Sequence, residues 1–401
     1  MRILYGVQGT GNGHISRARA MAPALAAAGH QVDYLFSGRP AAAYFDMTEF
    51  GRWQACDGVT FVVEGGRVRL WRSATQLRLG RWWREVRRLP MEQYDLVITD
   101  FEPVTAWAAR RAGTPSINLS HQAAFAYSVP RMAGSRITRA LLRHYAPSGH
   151  RVGLHWHHFG QPILPPLIQI PDEVLNAGRT AAVASAGAKA GAWADAVPAA
   201  TMGTASGAAT DTSADAVSRT TMRPDKSFIL VYLPFERRAD IQRVLAPLRE
   251  VDLDFLCYHP DVAADEEVDG LPWRRLSREG FQRDLHRADG VICNAGFELP
   301  SEALALGRKL LVKPLSGQFE QLSNALALER LGLATRTLAL EPGAVERWLT
   351  LPPAEPVSYP AVAPALAEWI SRGRWWDVED LARGLWAEVR FPSYFREPMA
   401  G

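Results

Sequence analysis

Two α/β domains, each a doubly wound parallel sheet, are what this chain of 401 residues predicts. Three observations carry the prediction. The length exceeds the roughly 250–300 residues at which a single core stops growing. Short apolar runs alternate with helical periodicities in both halves, the pattern of a parallel sheet covered on both faces. Between the halves, residues 177–220 hold 17 alanines among 44 positions and few large apolar side chains.

The N-terminal half opens with Arg2 to Val7, an apolar run that ends in a glycine-rich turn. A helical stripe of Ile15, Ala18, Met21, Ala22 and Leu25 follows, and Gly29 can close that helix. Gln31 to Phe36 reads as the next strand, completing a β-α-β opening. The pattern returns with a strand over 94–100, a helix over 104–112 and a strand over 115–119. Gln161 to Pro166 is proline-rich and reads as a rigid extended connector, because proline fixes its own φ and biases the residue before it away from helix. We place the hinge between domains there.

The 177–220 segment cannot bury enough apolar surface to offset the entropy of ordering it, and is expected to be a disordered insertion. Strand patterns restart at 227–233, 253–258, 290–293 and 309–313, with helices over 241–248 and 299–306. The resulting division is an N-terminal domain over 1–166, a linker with the Ala-rich insertion over 167–225, and a C-terminal domain over 226–401. Trp369, Trp375, Trp376 and Trp386 recur at helical spacings near the end and are expected to pack amphipathic helices onto the body.

Composition excludes several classes. With 47% hydrophobic and 22% charged residues the chain is that of a soluble globular protein, and a net charge of +3 gives no general reason to bind nucleic acid. Cys56, Cys257 and Cys293 are odd in number and far apart, which fits neither a disulfide framework nor a metal site and points to a reducing cytoplasm. No run approaches the about 18 apolar residues of a membrane span, and no leader pattern precedes the first strand.

Three constellations carry chemistry. The turn after the first strand, Gly9-Thr-Gly11-Asn12-Gly13-His14, lets a polar ligand approach the backbone, by positive φ or by the lack of side chains. It lacks the GxGxxG spacing, and no acid ends the second strand, so a nicotinamide dinucleotide is disfavoured. His14 lies at the sheet edge where open α/β folds bind ligands, and can serve as a general base near neutral pH. Asp100 ends a strand at the same edge. It can accept from the second ring nitrogen of His14, or it or Glu102 can cap the following helix. His121 follows the next strand and is a further candidate for the same pocket. In the C-terminal half, Gly296 can turn strand into helix, the helix N-terminus can face a diphosphate, and Glu302 can accept from ribose hydroxyls. A second loop supplies Gln318, Glu320 and Gln321, donors and acceptors suited to a sugar ring.

These residues resemble the UDP-glycosyltransferase and MurG-like superfamily, in particular a branch found in archaea and bacteria. The likeness lies in the opening Ile-Leu-Tyr-Gly-Val, the Gly-Asn-Gly-His turn, Asp-Leu-Val-Ile-Thr-Asp-Phe-Glu-Pro, and Ser-Glu-Ala followed by Gln-Phe-Glu-Gln and Asn324-Ala. It covers both domains apart from the insertion. The resemblance implies the GT-B architecture, with both domains facing a cleft, and inverting transfer of a sugar from a nucleotide-sugar, a UDP-sugar above all, to an acceptor hydroxyl. It implies catalytic roles for His14 and Asp100, phosphate contact at Gly296 and Ser301, ribose contact at Glu302, and sugar contact at Glu320 and Gln321 beside Gln318 and Asn324. No metal and no cofactor are implied, the activated sugar being a substrate. Two departures stand out: Asn294 replaces the superfamily's histidine before the glycine turn, and Pro234-Phe235 replaces its usual Gly-Ser.

Eight arginines against one acid, Glu85, fall between Arg67 and Arg88, interleaved with Trp71, Trp82 and Trp83. Such a face suits anionic lipid headgroups, so a cytoplasmic protein peripheral to the membrane, with a lipid-linked cell-envelope acceptor, is one expectation; a solvated helix face is the other. His155, His157 and His158 flank Trp156 without a further ligand at metal spacing. Two other functions remain open: a sugar-nucleotide 2-epimerase, which needs further carboxylates in the cleft, and a non-catalytic sugar-nucleotide-binding subunit.

Overall fold

The computed structural model describes residues 1–59, 63–64, 67–68, 79–134, 142–168, 227–249 and 253–398. The expected disordered insertion lies outside the described residues.

The N-terminal sheet has six parallel strands: β1 (Arg2–Gln8), β2 (Gln31–Ser37), β3 (Trp53–Cys56), β4 (Leu96–Asp100), β5 (Ser116–Ser120) and β6 (His150–Gly153), in the order β3-β2-β1-β4-β5-β6. Its helices are α1 (Asn12–Ala27), α2 (Leu79–Arg88), α3 (Pro103–Ala112) and the single turn α4 (His121–Ala124). Ile3, Leu4, Tyr5 and Val7 are all fully buried, so β1 is covered on both faces, as its unbroken apolar run requires. Gly29 stops α1 at φ +77°, and the Glu102 carboxylate caps α3 by accepting from the backbone N–H of Val104 and Thr105, each at 2.7 Å. Gly6 sets the spacing between β1 and α3, since a Cβ there would stand 1.9 Å from the Thr105 hydroxyl.

The second sheet repeats the plan. Its strands are β7 (Ser227–Tyr232), β8 (Leu253–Tyr258), β9 (Glu266–Val268), β10 (Leu271–Arg274), β11 (Gly290–Asn294), β12 (Lys309–Lys313) and β13 (Thr335–Arg336), in the order β9-β10-β8-β7-β11-β12-β13. Only the β9–β10 hairpin is antiparallel. Helices α5 (Arg238–Leu245), α6 (Arg278–Arg287), α7 (Glu298–Ala305), α8 (Phe319–Arg330) and α9 (Pro342–Leu349) follow, then α10 (Val362–Ser371) and α11 (Val378–Glu388). In each sheet the strand order reverses once, between β1 and β4 and between β7 and β11. Ligands of open α/β sheets bind outside the carboxyl ends of strands at such points.

The segment 161–166, expected as a rigid extended connector, packs on the N-terminal half, where Leu164 bridges Leu154 and both Ile163 and Leu164 are buried. Two expectations change. The loop expected around Gln318 is a helix from Phe319 onward. Among the tail tryptophans, Trp369 is buried while Trp376 is 71% exposed. The tail also crosses to the N-terminal half: α10 packs against α1, His30 bonds Ser371, and the Trp386 indole donates to the Ile163 carbonyl.

Candidate active site

The pairing of Val7 with Asp100 brings the end of β4 beside the turn that leaves β1. That turn delivers His14 into the first turn of α1. His14 Nδ1 lies 2.8 Å from Asp100 Oδ1, and a carboxylate only accepts, so the ring proton belongs on Nδ1 and the lone pair on Nε2. The alternative of Asp100 as a helix cap does not hold, since Glu102 takes that role. Asp100 is fully buried while the His14 side chain keeps 15% of its surface. The dyad therefore has a sealed acid and an accessible imidazole.

Arg17, one helical turn beyond His14 and 2% exposed, completes the group. Its Nε donates to Asp100 Oδ2 at 2.7 Å, and Nη1 pairs with Glu298 Oε1 at 2.9 Å. Burial pulls Asp100 upward, but Arg17 and His14 outweigh it and hold its carboxyl below the ordinary value. Burial pushes Glu298 up to about 8, helped by Glu302, Asp100 and Glu320 and opposed by Arg17. Sequence reasoning passed over both Arg17 and Glu298. The usable signal was position: Arg17 is three residues after His14, on the same helix face.

Glu298 belongs to the first turn of α7, at the carboxyl end of β11. A Cβ on Gly13 would come within 3.1 Å of Glu298 Cγ, so the glycine turn of the first sheet and the helix start of the second touch. Asn12 accepts from Arg39 at 2.9 Å and hydrogen-bonds Tyr232 at the end of β7. The two reversal points thus confront each other. Close approach, not φ, explains Gly9 and Gly13: neither has positive φ, and a Cβ on Gly9 would stand 2.1 Å from the Tyr44 hydroxyl. Gly296 also lacks positive φ, and a Cβ on it would meet no protein atom within 4 Å.

The remaining C-terminal candidates divide. Glu302 is buried, accepts from Gln282 at 3.1 Å, and is pushed by burial up to about 7 against the pull of Gln282 and Arg278. Glu320 accepts from Gln122 of the N-terminal half at 3.0 Å. By contrast, Ser301 has no exposure, donating to the Phe297 carbonyl and accepting from the Trp156 indole. Asn324 donates to the Ala295 carbonyl, and its amide meets His121 Nε2 at 2.6 Å. Gln318 caps α8 through the Gln321 N–H, and Gln321 Oε1 accepts from the Leu315 N–H. His121 is fully buried and stacks on Phe297 at 4.1 Å. It belongs to the contact between halves, not to the His14 dyad.

Around the basic segment, side chains are described only for α2. There Trp82 meets Trp107 edge-on, Glu85 accepts from the backbone of Asp57 and Gly58, and Leu79 and Trp83 are exposed. No helix among the described residues is long and apolar enough to cross a membrane.

Comparison with solved structures identifies the architecture. UGT89C1 of Arabidopsis thaliana complexed with UDP is 14% identical, covering 96% of this chain and 99% of that one at a TM-score of 0.53. SsfS6 of Streptomyces sp. SF2575, complexed with thymidine diphosphate, is 13% identical over 93% of this chain and 99% of that one, also at 0.53. MurG of Acinetobacter baumannii is 15% identical over 96% and 99%, at 0.50. At these identities the likeness is one of fold, and the fold is GT-B. No curated protein matches the chain. The family model of glycosyl transferase family 1 matches residues 1–149 and 217–353, which hold most of the length and every strand of both sheets except β6. The chain therefore belongs to glycosyl transferase family 1.

Proposed function

We propose that this glycosyltransferase transfers a sugar, with inversion, from a nucleotide-sugar to an acceptor hydroxyl, and that His14 is its general base. The observation that carries the reading is the 2.8 Å contact between His14 Nδ1 and buried Asp100, at the edge of one sheet and against α7 of the other. His14 Nε2 takes the hydroxyl proton, the acceptor oxygen attacks the anomeric carbon, and the bond to the diphosphate breaks with its electron pair on the leaving oxygen. Asp100 stabilises the imidazolium formed. The backbone at Gly296 and the start of α7 receive the diphosphate, Glu302 the ribose hydroxyls, and Glu320 the sugar. A UDP-sugar is the donor we favour, with neither metal nor cofactor required. Supporting the nucleotide assignment, fold neighbours are complexed with UDP and thymidine diphosphate.

For the acceptor we propose a cell-envelope glycolipid or polysaccharide reached from the cytoplasmic membrane face, on the strength of the arginines between Arg67 and Arg88. The test is transfer from a UDP-sugar panel to hydroxyl acceptors, with the anomeric configuration of the product read by NMR. Inversion is expected. A retained configuration would overturn the mechanism, and an isomerised donor formed without acceptor would replace transfer by epimerisation.

A further inference from the structure

We infer that Arg17 is a positioning residue that sets the proton affinity of His14 through Asp100, and that Glu298, arriving from the opposite sheet, sets Arg17 in turn. The inference rests on His14 being the base. Its ground is geometric. Arg17 is buried, and its two salt bridges run to different sheets: Nε to Asp100 at 2.7 Å and Nη1 to Glu298 at 2.9 Å. Its Nη2 stands 3.1 Å from His14 Nδ1, the atom that binds Asp100. A guanidinium keeps its charge in proteins, so this cation permanently opposes a proton on His14 while sharing the carboxylate that favours one.

The charged and titratable groups around this cluster are few. Besides His14 on α1 they are Asp100 at the end of β4, Tyr5 on β1, His121 on α4, and Glu298 on α7, with Glu302 and Glu320 acting on Glu298. The Phe297 ring covers the guanidinium at 6.0 Å. Glu298 is the only direct partner from the second sheet among the described residues that ion-pairs with Arg17. Gly13 is what allows it so near. Where Glu298 is charged, above about pH 8, it offsets part of the cation's effect on His14; below that it holds Arg17 as a neutral partner.

The experiment is the pH profile of transfer for the intact chain, whose acid limb reports protonation of the base. Arg17→Met removes the opposing cation and leaves Asp100 to His14 alone, so the limb should move to higher pH by roughly one unit. Glu298→Gln should leave the limb close to wild type, because burial keeps Glu298 uncharged until near pH 8. Arg17→Lys keeps the charge but loses the fork. It should lower kcat with the limb close to the wild-type position and the donor KM little changed. A purely structural role would lower kcat in all three with the limb unmoved, and that result would overturn the inference. Should Arg17→Met fail to fold, Arg17→Gln, which also removes the charge, decides by the direction of the limb. His14→Ala separates the two levels: if transfer survives it, the base assignment falls; if transfer is lost while the limbs stay fixed, only the coupling falls.

Discussion

The two sheets share a strand order but not a manner of building their reversal points. At the first, between β1 and β4, two cationic or ionisable side chains share one carboxylate: His14 and Arg17 both bond Asp100, at 2.8 and 2.7 Å. At the second, between β7 and β11, polar side chains are mostly consumed by the fold. Ser301, Asn324 and Gln321 are bonded to backbone or to the other half, the Gly296 N–H donates to the Asn294 carbonyl, Glu320 accepts from Gln122 of the other half, and Glu302 accepts from Gln282. On the proposed reading the first point moves a proton and the second holds the donor, so chemistry and recognition should be separable by mutation, one sheet at a time.

The largest effect should come from the first sheet. His14→Ala removes the base but touches nothing that holds the donor, so kcat should fall by about a thousandfold, the middle of the range for general base catalysis. Donor affinity, measured by calorimetry on the same variant, should stay within twofold of wild type, roughly the scatter of such a comparison. Parallel loss of donor binding would erase the contrast between the sheets.

Glu302→Ala should show the reverse, at smaller amplitude. Hydrogen bonds to a charged group are worth about 1.5–3 kcal/mol, or about ten- to a hundredfold in affinity. Donor affinity should drop by that amount, while kcat at saturating donor changes much less. A variant that keeps full donor affinity but loses kcat would move Glu302 from recognition to chemistry.

What the sequence revealed and concealed follows the same division. Strands β1, β2, β4, β7, β8, β11 and β12 were legible because each is a short run buried on both faces, and the glycines and acids that end them mark the sheet edge. β3, β6 and β13 were not legible: they are short edge or near-edge strands with mixed burial or few residues. Helix α6 carries five charged residues and only two buried ones, so its periodicity is weak. His14 and Asp100 could be named from their place after strands. Arg17 and Glu298 could not, because a charged residue within a helix pattern reads as solvent-facing, and only the fold shows that these two are buried against each other. The roles expected of Ser301 and Asn324 illustrate the converse: a motif identifies the residue type, while the hydrogen bonds already made by that side chain decide what it has left to give.

Gly296 gives the smallest effect and the sharpest one. A glycine is needed either where φ is positive or where something stands too close for a Cβ. Neither applies within the protein, since Gly296 has no positive φ and a Cβ there meets nothing within 4 Å. Gly296→Ala should therefore leave thermal stability within about 0.5 kcal/mol of wild type, as for a substitution away from any packed feature. If the diphosphate approaches the backbone at this turn, the same methyl should weaken donor affinity severalfold, with the loss seen for the free nucleoside diphosphate as well as for the nucleotide-sugar. Unchanged affinity for both would move the diphosphate away from the β11–α7 turn, and the second sheet would then recognise the donor by its carboxylates alone.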